Sequence, residues 1–375
     1  MKIVAVFCIL TLSIFAQAQG LSKAGASKLA EEKWTTLRKQ IAGDRAAEMK
    51  ERSITIDGKT MRFLEKTFGE APEDGRPLFI SMHGGGNAPA QVNDQQWQNQ
   101  IRLYQPEGSH YIAPRAPSDT WNLWHEAHID GLFDRLIANC IAIHQINPNK
   151  VYVMGYSAGG DGVYQIGPRM ADRWAAAAMM AGHPNESKPD SLRNLPFALQ
   201  VGGKDTAYQR NTIAAEWAAQ LDTLEKANPG SYQHFFRSYP ECGHWMELKD
   251  AVAVPWMLKH TRNPWPKLIT WLQDDAISSR FYWLAIDAKN AKAGQKIEAR
   301  CDGQKISIDS NDYDSLTLRL SDELLDLDKE ITVTWNDKKV FSGKVPRSAQ
   351  AIEASLQERA DPASIATALL EVRLK

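Results

Sequence analysis

The chain contains a serine in a sequence context that could make its hydroxyl a nucleophile. Ser157 is the centre of a Gly-x-Ser-x-Gly pattern, and the apolar run 151–154 stands directly before that pattern. In this arrangement a buried strand turns sharply into a helix, and the tight turn lifts the serine out of the backbone. Gly155 and Gly159 are expected to flank it because side chains there would collide with the neighbouring strand and helix. The same pattern also occurs by chance in glycine-rich turns, so the interpretation depends on partners elsewhere in the chain.

Two residues later in the chain could activate this serine. A serine hydroxyl is a weak nucleophile that needs a base within hydrogen-bonding distance and a third group that orients the base. Asp205 follows the apolar run 197–201, and His244 follows Gly243 in the loop after the next predicted strand. Hydrolases with an open parallel sheet present these groups in the chain order Ser, acid, His. The sequence therefore predicts a triad of Ser157, His244 and Asp205; the alternative is that Asp205 is a solvated turn residue.

A glycine run could complete the chemistry by binding a negatively charged oxygen. Acyl transfer passes through an oxyanion, which two backbone N–H groups stabilise. The residue after the nucleophile, Ala158, supplies one of them. Residues 83–86 read His-Gly-Gly-Gly after a buried apolar run, and such a run supplies the other. Gly85 is the predicted donor, with Gly84 beside it.

Three further residues are candidates for substrate binding. Trp121 and Trp124 lie in a predicted loop after a strand, and His83 begins the glycine run. The chain has 12 tryptophans, so some of them must be ordinary core residues. The segment 125–128, His-Glu-Ala-His, is one residue short of the zinc motif H-E-x-x-H and does not place its histidines one helical turn apart. We therefore predict no metal site there and no cofactor.

Composition limits the classes of partner. The chain has 375 residues with a formal net charge of -1, so nothing in it suggests nucleic acid as a partner. The predicted partner is a small-molecule or polymeric ester. The sequence carries no signal for an oligomeric state.

The N-terminus has the pattern of an export signal. Lys2 precedes the apolar run 3–16, which leads into an A-x-A site ending at Ala18. A basic start, a short apolar segment and small residues at the cleavage site are typical of a secretory signal peptide. The run is too short to span a bilayer comfortably, so we predict no membrane span and a secreted or periplasmic protein. Cleavage leaves three cysteines: Cys140, Cys242 and Cys301. They permit at most one intramolecular disulfide. The alternative is that all three are buried free thiols.

The order of the predicted elements indicates an α/β fold with a second, smaller part. Residues 51–262 alternate apolar strand-like runs with helical segments, which predicts a mostly parallel sheet with helices on both faces. Residues 19–50 have a helical composition. Short alternating runs with turn signals predict a small β-sandwich-like domain over residues 265–347. The composition of residues 348–375 predicts a helical tail.

These motifs together resemble one superfamily. The sequence is similar to the α/β-hydrolases, in particular to secreted esterases such as poly(3-hydroxybutyrate) depolymerases and feruloyl esterases. The resemblance covers roughly residues 50–262 and depends on the His-Gly-Gly-Gly run, the Gly-x-Ser-x-Gly pattern, and the acid and histidine that follow. It implies a carboxylic ester hydrolase in which Ser157 is the nucleophile, His244 the base and Asp205 the acid.

Two alternatives remain at this stage. Serine peptidases of the prolyl oligopeptidase type share the same catalytic domain, but they carry a large N-terminal propeller, whereas only about 30 residues precede the first strand here. The second alternative is a non-catalytic protein on a hydrolase scaffold, with the β domain attached to carbohydrate or cell wall. That alternative expects a broken triad, and all three members are present in the sequence.

Overall fold

The computed structural model describes residues 20–374, so the predicted signal peptide lies outside the described residues. Its largest sheet is built from eight strands: β1 (Ser53–Ile56), β2 (Lys59–Thr67), β3 (Arg76–Met82), β4 (His110–Arg115), β5 (Ile146–Tyr156), β6 (Ala176–Met180), β7 (Phe197–Gly202) and β8 (His234–Tyr239). They are arranged in the order β1-β2-β4-β3-β5-β6-β7-β8. β2 is antiparallel to both neighbours, and every pair from β4 across to β8 is parallel. The predicted α/β class with a mostly parallel sheet is confirmed.

Helices cover both faces of this sheet. The described helices are α1 (Lys23–Asp44), α2 (Ala46–Glu51), α3 (Ala90–Leu103), α4 (His128–Ile143), α5 (Ala158–Arg169), α6 (Arg210–Ala227), α7 (Ala253–Met257) and α8 (Ala349–Glu358). Successive strand residues point to opposite faces. Leu78 and Ile80 pack in one core with α4, α5 and α6, while Phe79 packs in a second core with α3 and α7. The strands are apolar without alternation because both faces are buried.

The register of the parallel strands brings several loops to one edge of the sheet. Met82, near the end of β3, pairs with Gly155 of β5, and Tyr156 pairs with Met180 of β6. β7 and β8 continue the parallel arrangement and end at the same edge. Ligands bind at this carboxyl edge in open α/β sheets. The predicted site residues lie in the segments that directly follow β3, β4, β5, β7 and β8.

Two smaller sheets follow in the chain. Their strands are β9 (Leu268–Leu272), β10 (Arg280–Phe281), β11 (Leu284–Ala285), β12 (Lys296–Asp302), β13 (Lys305–Asp309), β14 (Ser315–Leu320), β15 (Ile331–Trp335), β16 (Lys338–Gly343) and β17 (Ala368–Arg373). One sheet has the order β16-β15-β13-β12-β9 and the other the order β10-β11-β14-β17.

The prediction of a helical tail over residues 348–375 is wrong beyond Glu358. After α8 the chain forms β17, which pairs antiparallel with β14 over its whole length. The composition of the tail favours a helix, but the backbone of β14 offers a full ladder of hydrogen bonds, and tertiary pairing overrides local propensity.

A group of buried charges joins the C-terminal segment to the rest of the molecule. Asp361 accepts a hydrogen bond from Arg262 Nη1 at 2.8 Å and lies 3.4 Å from Arg173 Nη1. Asp172 pairs with Arg359 at 2.5 Å. Burial acts to raise the pKa of Asp361, but the positive charges of Arg262 and Arg173 outweigh it and hold that pKa far below its usual range. Since Arg173 follows α5 and Asp361 follows α8, these pairs link the eight-stranded part to the C-terminal residues.

The three cysteines are buried free thiols in this structure: Cys140, Cys242 and Cys301. Within residues 20–374, none of the helices is both long enough and apolar enough to cross a membrane.

We expect Asp361→Asn to destabilise the protein by about 3–5 kcal/mol, because it removes the carboxylate that pairs with the buried Arg262 and one of the two that pair with the buried Arg173. The free energy of unfolding at pH 7 would be measured by urea denaturation. The pKa of Asp361 is depressed in the folded state, so its contribution is present above the unfolded value of about 4 and is lost as the pH falls below it. The difference between wild type and variant should therefore shrink in acid.

The matched control is Glu353→Gln. Glu353 lies on α8 and pairs with Lys33 at 2.5 Å, with both side chains nearly half exposed. Exposed ion pairs contribute less than about 1 kcal/mol. Equal losses in the two variants would contradict the role assigned to the buried group.

Candidate active site

Ser157 occupies a strained turn between β5 and α5. Its φ is 58° and its ψ is -121°, a region that residues with a side chain rarely adopt. A Cβ on Gly155 would lie 2.2 Å from the carbonyl oxygen of Gly159, and a Cβ on Gly159 would lie 2.1 Å from that of Met82. Both glycines are therefore required by the close approach of β3, β5 and α5, and the turn holds the Ser157 side chain at the sheet edge.

The three predicted triad residues meet at this edge. His244 Nε2 lies 2.9 Å from Ser157 Oγ, and His244 Nδ1 lies 2.8 Å from Asp205 Oδ2. The carboxylate can only accept, so it fixes the proton on Nδ1 and leaves Nε2 free to accept from the serine hydroxyl. The Asp205 side chain is 2% exposed, whereas that of His244 is 43% exposed. The arrangement has a buried acid and a base that is open to a ligand.

The loop that carries His244 is held by Tyr156, the residue directly before the serine. The Tyr156 hydroxyl donates to the His244 carbonyl oxygen at 2.7 Å and accepts from the Met246 N–H at 2.8 Å. A Cβ on Gly202 would lie 1.9 Å from the carbonyl oxygen of Gly243, so the loops after β7 and β8 are packed backbone to backbone. These contacts fix the imidazole relative to both of its partners.

Two backbone N–H groups are available near the serine hydroxyl. Ala158 begins α5, and the first N–H groups of a helix have no partner within that helix. Gly84 packs against the serine, because a Cβ there would lie 3.1 Å from Ser157 Cβ. Gly85 has a φ of +106°, which requires glycine, and among the described residues its N–H takes part in no hydrogen bond. The next N–H, that of Gly86, donates to Asn93 Oδ1 at 2.8 Å.

His83 was predicted to bind substrate, but it is fully buried beneath the glycine run. Its Nε2 accepts from the Ala116 N–H at 3.2 Å, so its Nδ1 carries the proton and donates to the Gly84 carbonyl oxygen at 2.6 Å. Burial lowers the pKa of His83 to about 4, and the ring is neutral near pH 7. Gly84 C=O and Gly85 N–H belong to one trans peptide and point in opposite directions. His83 therefore orients the Gly85 N–H. The expectation that His83 contacts the substrate is wrong, because the ring is buried.

The two tryptophans are also separated from the cavity beside Ser157. Trp124 is fully buried, and its Nε1 donates to the His83 carbonyl oxygen at 2.9 Å. The expectation that it walls a substrate pocket is wrong, because its loop folds inward against α5. Trp121 is 60% exposed and packs edge-on to the His125 ring with centroids 5.3 Å apart. It is not among the residues that line the cavity.

A cavity of about 660 Å³ opens beside Ser157. Its lining is Gly84, Gly85, Val92, Gln96, Asn99, Gln100, Arg102, Leu103, Tyr156, Ser157, His244 and Trp245. One side is α3, which presents Val92, Gln96, Asn99 and Leu103 at the spacing of a single helical face. The sequence analysis missed this helix. Its only signals were Trp97 and Ile101, four residues apart in a segment rich in Gln and Asn.

The sheet order, the strained serine between β5 and α5, and the chain order of the three site residues together define the architecture. This is the α/β-hydrolase fold. No known protein family matches the chain by its sequence profile, and no curated protein matches its sequence.

Solved structures with a similar fold include esterases and a depolymerase. A poly(3-hydroxybutyrate) depolymerase from Bordetella parapertussis matches with a TM-score of 0.42 and 16% identity over 60% of this chain and 96% of that one. A thermostable esterase matches with a TM-score of 0.41 and 16% identity, covering 56% of this chain but only 62% of the esterase. A ferulic acid esterase matches with a TM-score of 0.37 and 15% identity over 53% and 98% of the two chains.

We expect Gly85→Ala to lower the free energy of unfolding by about 2–4 kcal/mol. The added Cβ would combine backbone strain at positive φ with a contact of 2.2 Å to Asn93 Oδ1. The control is Gly58→Ala, because Gly58 also has a positive φ but has open space around the added Cβ. The free energy of unfolding of that variant should fall only by the cost of the backbone strain, about 1–2 kcal/mol. Urea denaturation of both would measure the difference, and equal losses would show that the glycine run is not tightly packed.

Proposed function

We propose that this chain is a serine hydrolase that cleaves carboxylic esters through an acyl-enzyme intermediate. The observation that carries the proposal is the unbroken hydrogen-bonded chain from Ser157 Oγ through His244 to the buried Asp205 carboxylate, with separations of 2.9 and 2.8 Å. A ligand-sized cavity lies beside its reactive end. A strained nucleophile, an oriented base and two converging N–H groups are the parts that acyl transfer needs.

The reaction follows from the roles of these groups. Ser157 Oγ attacks the ester carbonyl carbon while His244 Nε2 takes the hydroxyl proton, and Asp205 stabilises the imidazolium that forms. The N–H groups of Ala158 and Gly85 bind the oxyanion of the tetrahedral intermediate. Collapse of this intermediate breaks the bond to the alcohol oxygen, which takes the proton from His244. Water then repeats the sequence on the acyl-enzyme and releases the acid and the free serine.

The preference for esters over peptides rests on the motif set that the chain shares with secreted esterases. We further propose that the protein is exported after cleavage behind Ala18, and that residues 51–262 are the catalytic domain.

The cavity beside Ser157, with α3 along one side, suits either a small ester or a segment of a polymeric ester. A panel of acetyl, longer acyl, feruloyl and oligo-hydroxybutyrate esters beside short peptides tests the substrate class. Cleavage of the peptides alone would overturn the ester assignment.

Replacement of Ser157 by Ala should lower kcat for a p-nitrophenyl ester by at least about 10³-fold, because no other group can form the acyl-enzyme. The variant should also fail to react with a fluorophosphonate probe. Ser238→Ala is the control, since Ser238 is an exposed hydroxyl on β8 and should keep full turnover and labelling. Turnover by Ser157→Ala at the wild-type rate would rule out the mechanism.

We expect His244→Ala to lose a similar factor, and the double variant with Ser157→Ala to be no slower than the slower single variant. Residues that act as one unit give such non-additive losses, whereas independent contributions would multiply. His260→Ala is the control because His260 packs against Trp256, with ring centroids 4.5 Å apart, away from the site. Steady-state kinetics with a p-nitrophenyl ester would give kcat for the wild type and the four variants. A multiplied loss in the double variant would contradict a shared catalytic unit.

A further inference from the structure

Three side chains from separate elements converge on the edge of the sheet opposite to Ser157. Glu65 lies on β2, His110 begins β4, and His144 directly follows α4. His110 Nε2 lies 3.1 Å from Glu65 Oε2, and His144 Nε2 lies 3.8 Å from the same oxygen. All three ligand atoms fall within 4.8 Å of one another. Two imidazole nitrogens and a carboxylate oxygen are thus close enough together to bind one ion.

The two separations from the Glu65 oxygen, 3.1 and 3.8 Å, are compatible with a tetrahedral zinc site. Zinc binds imidazole nitrogen and carboxylate oxygen at about 2.0–2.2 Å, which places neighbouring ligand atoms about 3.3 Å apart in a tetrahedron. The two separations from the Glu65 oxygen lie on either side of that value. A shift of the His144 ring by about half an ångström would close the longer one. We propose that Glu65, His110 and His144 bind a divalent transition-metal ion, and that this ion is zinc.

The other atoms of these side chains are already held in place. The Thr67 hydroxyl lies 2.9 Å from His110 Nδ1, which is the outer contact that orients a metal-bound imidazole. A hydroxyl can donate or accept, so it suits the tautomer of the free ring and that of the bound one. Arg52 Nε donates to the second oxygen of Glu65 at 3.0 Å. The inner oxygen therefore remains directed at the two rings.

His144 Nε2 is the observation that most favours a ligand. This nitrogen is inaccessible to solvent and, among the described residues, has no hydrogen-bond partner. A buried polar atom without a partner costs free energy. A metal ion would supply the missing interaction.

A second cluster of similar composition lacks these features. Asp222, Glu225 and His234 are also close together, but both carboxylates are substantially exposed. Both ring nitrogens of His234 are occupied, Nδ1 by the Tyr232 carbonyl oxygen at 3.0 Å and Nε2 by Asp222 at 3.1 Å. This cluster is a natural comparison because it has one histidine rather than two and no free nitrogen.

The position of the site, far from Ser157, favours an effect on stability over one on ester hydrolysis, and with three protein ligands a water molecule would complete the tetrahedron. His110 pairs with Leu78, and Leu78 pairs with Val151, which precedes Ser157 by about six residues or about 20 Å along the strand. An ion there would connect β2, β4 and the end of α4 without contact with the candidate active site. Its binding should stabilise the fold and leave ester hydrolysis unchanged.

The test uses the full mature chain without a histidine tag, treated with EDTA and dialysed. Titration with zinc ions against a chromophoric chelator should give one bound ion per chain, and saturating zinc should raise Tm by several degrees. His144→Gln should weaken zinc binding at least tenfold and remove the Tm shift. His144 is partly exposed, so this variant should fold, and its Tm without zinc checks that it does. His110→Gln should give the same loss.

His234→Gln is the matched control and should bind zinc as the wild type does. The proposal is overturned if folded wild-type protein binds no zinc, if His144→Gln binds it as tightly as wild type, or if His234→Gln removes binding. Ester turnover measured in parallel should be the same with and without zinc, so failure of this proposal is distinguishable from failure of the proposed function.

Discussion

The backbone contact between β3, β5 and α5 at Ser157 is the constraint on which the candidate site depends. Gly155 and Gly159 let these three elements approach within a distance that no side chain allows, and the Ser157 N–H donates to the Met180 carbonyl oxygen at 2.9 Å. The surrounding contacts hold the serine at positive φ, a conformation that persists only where its neighbours impose it. As a consequence, the serine hydroxyl and the N-terminus of α5 are directed at one point on the sheet edge.

Partly buried polar contacts hold the glycine run in a fixed conformation as well. Arg115 donates to Asp119 at 2.5 Å, Asn93 donates to the same carboxylate at 2.8 Å, and Asn93 in turn accepts from the Gly86 N–H. Together with the hydrogen bond from His83 to Gly84, they fix the loop before any substrate arrives. Donors that are oriented in advance need no reorganisation during the reaction, which is where most of their catalytic benefit arises.

The C-terminal residues are part of the same framework. The buried pairs around Asp361 link them to the segment after α5, and α8 contributes Ile352 and Leu356 to a small core with Ala26 of α1. The Leu21 N–H also donates to the Arg347 carbonyl oxygen at 3.0 Å. The first and last helices, α1 and α8, therefore pack on each other, so the C-terminal sheets are joined to the molecule by more than a linker.

Local signals, namely apolar runs, glycine turns and chain order, were enough to predict the central sheet and to select Ser157, Asp205 and His244. The packing of distant segments, in contrast, sets the directions in which side chains face. It buried His83 and Trp124 beneath the glycine run, placed a face of α3 with both polar and apolar side chains along the cavity and converted a helix-favouring tail into β17. It also brought Glu65 together with two histidines from distant elements. Residue type and spacing predict the local backbone conformation. Side-chain burial, the cavity wall and the pairing of β17 depend on contacts between segments far apart in the chain.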